Sequence, residues 1–133
     1  MQLSDTTRNA GVDAMVDLID LGSANTEGSM LIYDSGKTTT LATIPLNNPA
    51  FGAAAAGVVT MILTPEVQDT AADATGVAAE MTIVDRDLNV RFEGSVGATG
   101  SGKDLELNSV NLEAGVPVKV TSCTMTQPAG SPA

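Results

Sequence analysis

Along this chain apolar and polar positions follow two different rhythms. Within the first twenty-odd residues Val12, Met15, Val16 and Ile19 fall at i, i+3, i+4 and i+7, a single apolar stripe of helical period. Asp13, Asp17 and Asp20 take the opposite face. Ser4 or Asp5 is placed to cap the N-terminus, and Gly22 stands where a glycine after the last turn belongs. The spacing predicts one helix over residues 4–21. It is a weak helix, because Gly11 lowers its propensity and Asp17 and Asp20 lie near the negative end of its dipole. Its stability must come from docking, on its own domain or on a neighbour.

From residue 30 the helical period is lost and short alternating runs replace it. Residues 30–34 and 38–44 read as strands joined by the Ser35-Gly36-Lys37 turn. Residues 45–52 are a proline-containing loop, 53–56 a candidate helical turn, and 58–63 a β-branched, buried strand ended by Pro65. Residues 68–76 read as a small-residue loop. Next, Ala79, Met81 and Ile83 alternate with Glu80 and Thr82, and Leu88, Val90 and Phe92 alternate with Asn89, Arg91 and Glu93. This predicts an antiparallel hairpin with one apolar face and a tip at Asp85-Arg86-Asp87. Residues 94–103 read as a Gly-rich connection, 105–107 as a short strand, and 118–126 as the last strand. Val118 and Val120 share one parity while Cys123 and Met125 share the other, which predicts a bulge near Thr121 and Ser122. The fold expected is mainly β, an antiparallel, jelly-roll-like β-sandwich with one N-terminal α-helix. The chain divides into a helical arm (1–22), a sandwich (23–126) and an extended tail (127–133).

Composition changes the picture of the core and of the chemistry. Two Phe and one Tyr are the only aromatics, so Ala, Val, Leu, Ile and Met must fill the interior. Small side chains bury little area each. A lone monomer is therefore expected to be modestly stable, with a partner surface completing the core. The net charge of −10 opposes binding to phosphate backbones and to anionic membranes, and favours a basic protein partner. Residues 1–20 carry four Asp and no continuous apolar run, which argues against a signal peptide, and no apolar stretch is long enough to span a membrane. The expectation is synthesis in a reducing cytoplasm. Cys123, the single cysteine, reads as a buried structural thiol, because the chain has no His to activate it.

No motif makes a convincing catalytic, cofactor or metal site. Residues 97–104 (GATGSGKD) half-match a phosphate-binding loop, but Asp104 stands where a Ser or Thr would hold magnesium and a strand follows instead of a helix. Asp85 and Asp87 form a possible metal pair that reads better as a polar hairpin tip. Asp69 and Asp73 lack the spacing of a calcium loop. Glu80 and Glu93 are a candidate carboxylate pair that reads better as a solvated strand face. The Thr-rich stretches 38–40 and 121–126 suggest a sugar-binding surface only weakly, since there are few aromatic platforms.

The opening MQLSDTTRNAGVDAMVDLID resembles the N-terminus of a family of small virion proteins of tailed bacteriophages and prophages. The likeness continues in order through PAFGAAAAGV (49–58), DTAADATGVA (69–78), residues 83–97, DLELNSVNLEAG (104–115) and VTSCTMT (120–126). Gly11 and Lys103 depart from the pattern. The resemblance implies a structural part of a phage particle that looks like a capsid cement, or decoration, protein. Such a protein would sit on the outer capsid surface as a homotrimer, bound to the major capsid protein, after assembly in the host cytoplasm. On the cement reading, the candidate inter-subunit contacts are Val12, Met15, Val16 and Ile19 of the helix, with Pro128 and Pro132 of the tail. On that reading, removing 1–21 or 127–133 should abolish capsid binding and leave the sandwich folded. The rivals are a tail, neck or fibre-associated structural protein, a host-glycan adhesin, and, least supported, a carboxylate-based hydrolase.

Overall fold

The structure is a computed structural model and describes residues 1–130. Helix α1 spans Asp5–Asp17 and tightens into a 3-10 turn over Leu18–Asp20. Ser4 is its cap, its hydroxyl accepting from the Thr7 N–H at 3.2 Å. Val12, Val16 and Ile19 are fully buried in the core of the same chain, and Met15 packs beside them. The stripe expected to meet a neighbouring subunit therefore docks in cis, and burying it supplies about 1.5–3 kcal/mol per side chain. The helix is part of the domain, not a detached arm.

The strands follow as β1 (Ser29–Tyr33), β2 (Thr40–Pro45), β3 (Val58–Thr60), β4 (Gln68–Asp69), β5 (Gly76–Val77), β6 (Glu80–Val84), β7 (Val90–Ala98), β8 (Leu105–Leu107), β9 (Asn111–Leu112) and β10 (Val118–Thr126). The molecule is mainly β, with one N-terminal helix, a curled mixed sheet forming a half-barrel, and a small second sheet. The large sheet runs β2-β1-β6-β7-β8-β10-β3, and β4 pairs with another part of β10. The second sheet is β5 with β9. In β1, Met30 and Ile32 are buried and pair with Ile44 and Ala42 on one side and Ile83 and Met81 on the other. That row is the centre of the core.

The bulge read from parity is present. Val120 pairs with Leu107 and Ser122 with Glu106, leaving Thr121 as the extra residue. Residues 53–56 form no helical turn. Ala55 and Val58 bridge across Ala56 and Gly57, both at positive φ (50° and 77°), which is a tight hairpin turn.

The β6–β7 hairpin forms, but its apolar face is not the one the alternation suggests. Leu88 and Val90 are 66% and 57% exposed. Leu88 sits in the turn at φ 68°, and a register shift between Ile83 and Val84 moves Val90 out of phase with Phe92. The Gly-rich stretch is also more regular than expected, since β7 runs on to Ala98. Its last residues pair with β8 in parallel, Val96 with Leu105 and Ala98 with Leu107. Every other pairing of named strands is antiparallel. Parallel neighbours usually need a long crossover. Here the paired run is so short that residues 99–104 suffice to double back. Glycine makes the fold-back possible: a Cβ on Gly97 would lie 2.2 Å from Ser101 Oγ and 2.6 Å from Lys103 Cγ.

The outer edges of the large sheet are occupied. On β2, the Thr43 N–H donates to Asp69 Oδ2, and the Leu41 carbonyl accepts from Asp73 and Ala74. Beside β3, the Gly52 N–H donates to the Thr60 carbonyl, and the Ile62 N–H to the Ala50 carbonyl. The two ends of the described chain meet as well. The Leu3 N–H donates to the Ala129 carbonyl at 2.7 Å, and Gln2 bridges Gly130.

Candidate functional site

Each polar cluster singled out in the sequence has a structural task. Asp85 is almost fully buried at the start of the hairpin turn. Its Oδ1 accepts from the Asp87 and Asn89 backbone N–H groups at 2.9 Å, and its Oδ2 from Arg91 Nε at 3.0 Å and Nη2 at 2.9 Å. Burial pushes its carboxyl up, but the Asn89 backbone and side chain, Asp87 and Arg91 outweigh it and hold the pKa at about 2. Asp87 turns away and accepts from the Ser23 and Ala24 N–H groups, both at 2.9 Å. Arg86 reaches the Asn25 carbonyl at 2.7 Å. The Asp-Arg-Asp tip thus fastens the loop after the helix to the hairpin, and no oxygen pair is left to hold a metal.

Asp69 and Asp73 both bind β2 at Thr43, one through its N–H at 3.0 Å and the other through its hydroxyl at 2.9 Å. Glu80 and Glu93 do not face each other, because Glu80 lies opposite Ser95 and Glu93 opposite Thr82. Glu80 accepts from the Gly36 N–H at 2.7 Å, and Glu93 pairs with Lys37 Nζ at 2.5 Å. The Glu93 hydrogen bond raises the Lys37 pKa, and its ammonium stands 5.8 Å from the Tyr33 ring centre. This is a laced strand face and lacks an acid–base pair. Among the described residues no group of three or more His, Cys, Asp or Glu side chains is gathered as a metal site.

The half-match to a phosphate loop fails by geometry too. The Gly102 N–H donates to Glu106 Oε2 at 2.8 Å, and the Ser101 N–H to the Ala98 carbonyl at 3.0 Å. Two of the amides that would cradle an anion are thus engaged, one of them by a carboxylate.

A cleft of about 360 Å³ lies on the inner side of this fold-back. Its floor is Met81, Ile83, Phe92, Cys123 and Met125, and its rim carries Glu93, Lys103 and Asp104. It exists because β8 is much shorter than β7 and β10, so the sheet splits where β8 has not yet begun. Burial pushes the Cys123 thiol up to about 12, with the Asp104 charge adding to the effect. The thiol is therefore protonated and inert at neutral pH. Sequence reasoning missed the cleft, because it arises from unequal strand lengths and no residue type advertises it.

Of the residues expected at subunit contacts, Val12, Val16 and Ile19 are buried and Met15 half-buried in the chain's own core, while Pro128 is exposed. Pro132 lies outside the described residues. No helix of the described residues is long and apolar enough to cross a membrane. Compared with protein-family models, curated proteins and solved structures, the chain matches none.

Proposed function

We propose that this chain is a phage virion structural protein, a capsid cement protein that binds the outer shell through the major capsid protein and stabilises it, working as a homotrimer. The observation that carries the reading is the ordered resemblance to small phage virion proteins over most of the chain. Two features support it. The carboxylate clusters that could have run acid–base chemistry act instead as caps and staples of the fold. The net charge of −10 suits a surface held away from packaged DNA.

The contacts that would serve this role now differ from the sequence expectation. With the helical stripe buried, the exposed surface of the tail at Pro128 and the cleft edges remain. Deleting residues 1–21 would strip Val12, Val16 and Ile19 from the core, so that truncation cannot leave the sandwich intact.

The test is the copy number per purified virion, by quantitative mass spectrometry against the major capsid protein. A one-to-one ratio, or a simple fixed fraction with hundreds of copies, is expected. A few copies per particle would overturn the cement reading and favour the neck, tail or fibre.

A further inference from the structure

The cleft has the form of an unfilled strand position. In β10, the Cys123 carbonyl accepts from the Met61 N–H and the Gln127 N–H donates to the Gly57 carbonyl, both on the β3 side. By strand alternation, Thr126 turns its N–H and carbonyl the other way, toward the line of β8. In β7, the Val96 N–H donates to Ala79 beyond β6, whereas the Ser95 N–H turns to Asp104. Glu93 shares the direction of Ser95, so its N–H and carbonyl also face the line of β8. Yet β8 pairs only from Leu105 onward, with Val96 and Cys123 as its first partners. Glu93 and Thr126 therefore face each other across one absent strand, about two strand spacings or ~10 Å apart. Apolar side chains of Met81, Ile83, Phe92 and Met125 floor the space.

Residues 101–103 cannot fill it, because they fold back against Gly97. Asp104 closes the inner end. Its Oδ2 accepts from the Ser95 N–H and hydroxyl, and its Oδ1 has no hydrogen-bond partner among the described residues.

We infer that this slot accepts an extended segment of a basic partner protein, which enters as a strand between Glu93 of β7 and Thr126 of β10. Backbone hydrogen bonds to both walls would supply affinity, and alternate apolar residues would meet the floor. Charge selects the occupant: the chain carries −10, which steers in a basic partner, and although Glu93 is held by Lys37 and Lys103 also stands on the rim, the unpartnered Asp104 Oδ1 at the inner end matches a Lys or Arg beside the inserted residues. The inference holds for any partner of that chemistry and does not depend on the cement reading.

The test is amide hydrogen exchange by NMR on the dilute protein, with and without a peptide of alternating Val and Thr bearing Lys at both ends. A counterpart with Glu at both ends is the control. The Lys peptide should slow exchange at Glu93 and Thr126 by about tenfold or more, and the Glu peptide should not. Thr126→Pro removes one wall donor without touching a β3 bond, and should keep the melting temperature but lose the protection. If that variant melts early, Asp104→Asn replaces it and should erase the preference for Lys over Glu. Amides already protected in the free dilute protein would overturn the inference. So would peptides that bind equally or not at all, and so would protection that grows only with protein concentration, which would mean a second copy fills the slot.

Discussion

Arg8 Nε stands 2.8 Å from the carbonyl oxygen of Gln127, 119 positions further along the chain. The same guanidinium pairs with Asp5 at 3.0 Å and lies flat on Gly57, where a Cβ would come within 2.5 Å of Nε. One side chain from the first helical turn thus holds the end of the last strand and the tight turn before β3. Arg8→Ala should cost about 2 kcal/mol, as for a hydrogen bond from a charged donor that is largely withdrawn from water. Urea unfolding would show it, and the Leu3 and Gln127 amides should exchange faster even where the fold persists. Gly57→Ala should cost about 1 kcal/mol or more, through its positive φ of 77° and the displaced guanidinium.

Ile19 tests the docking of the helix. It is fully buried in the core, and its Cγ2 lies 2.6 Å from where Gly28 would carry a Cβ. Ile19→Ala should destabilise by about 3 kcal/mol, within the range for large-to-small core changes. Val90→Thr, on a side chain 57% exposed, should stay within about 0.5 kcal/mol. Equal effects of the two changes in denaturant melts would contradict the packing described.

Acid should act first through the hairpin turn. Asp85 titrates at about 2 in the folded chain, against an ordinary value of 3.8. A depressed carboxylate contributes stability above its unfolded pKa and loses it as pH falls through the folded one. Asp87 and Asp34 are lowered as well, chiefly by the Ser23 amide and the Thr38 hydroxyl, and act in the same sense. Asp20 is raised by burial and acts in the opposite sense. The melting temperature should therefore fall between pH 3.8 and about 2, and Asp85→Asn should be less stable at neutral pH with a flatter acid limb. A wild-type melting curve indifferent to pH over that interval would refute the assignment.

The thiol offers a probe of global opening. With Cys123 3% exposed and pushed up to about 12, a thiol reagent at about pH 8 should react with native protein at least ~10³ times more slowly than in denaturant. Prompt labelling of native protein would mean that the cleft floor opens on its own.

Much of the architecture could be read before any coordinates, wherever a local rule decided it. The parity break between Val120 and Cys123 was enough to place the bulge, and Ser4 was one of two legible caps. The alternation of Leu88, Val90 and Phe92 misled because a register shift at the turn, which leaves no mark in the pattern, moved two of the three into solvent. Residues 94–98 read as a connection because glycine disfavours strands. They are strand because the return loop packs on Gly97, a tertiary demand that overrides propensity. The helical stripe was legible as apolar, but whether it would face inward or a neighbour was not. Amphipathicity gives a face and leaves the partner open. The cleft depends on which strand stops early, and only pairing reveals that.

Both outermost strands of the large sheet are sealed by the chain's own amides and carboxylates, whereas the slot between β7 and β10 has two walls and room for one visitor. Association along an outer edge would leave a fresh edge behind it and could continue without end. A strand seated between two walls is satisfied on both sides and offers nothing to the next. However densely such molecules are crowded, this geometry lets a partner be captured once and gives no template on which a fibre could grow.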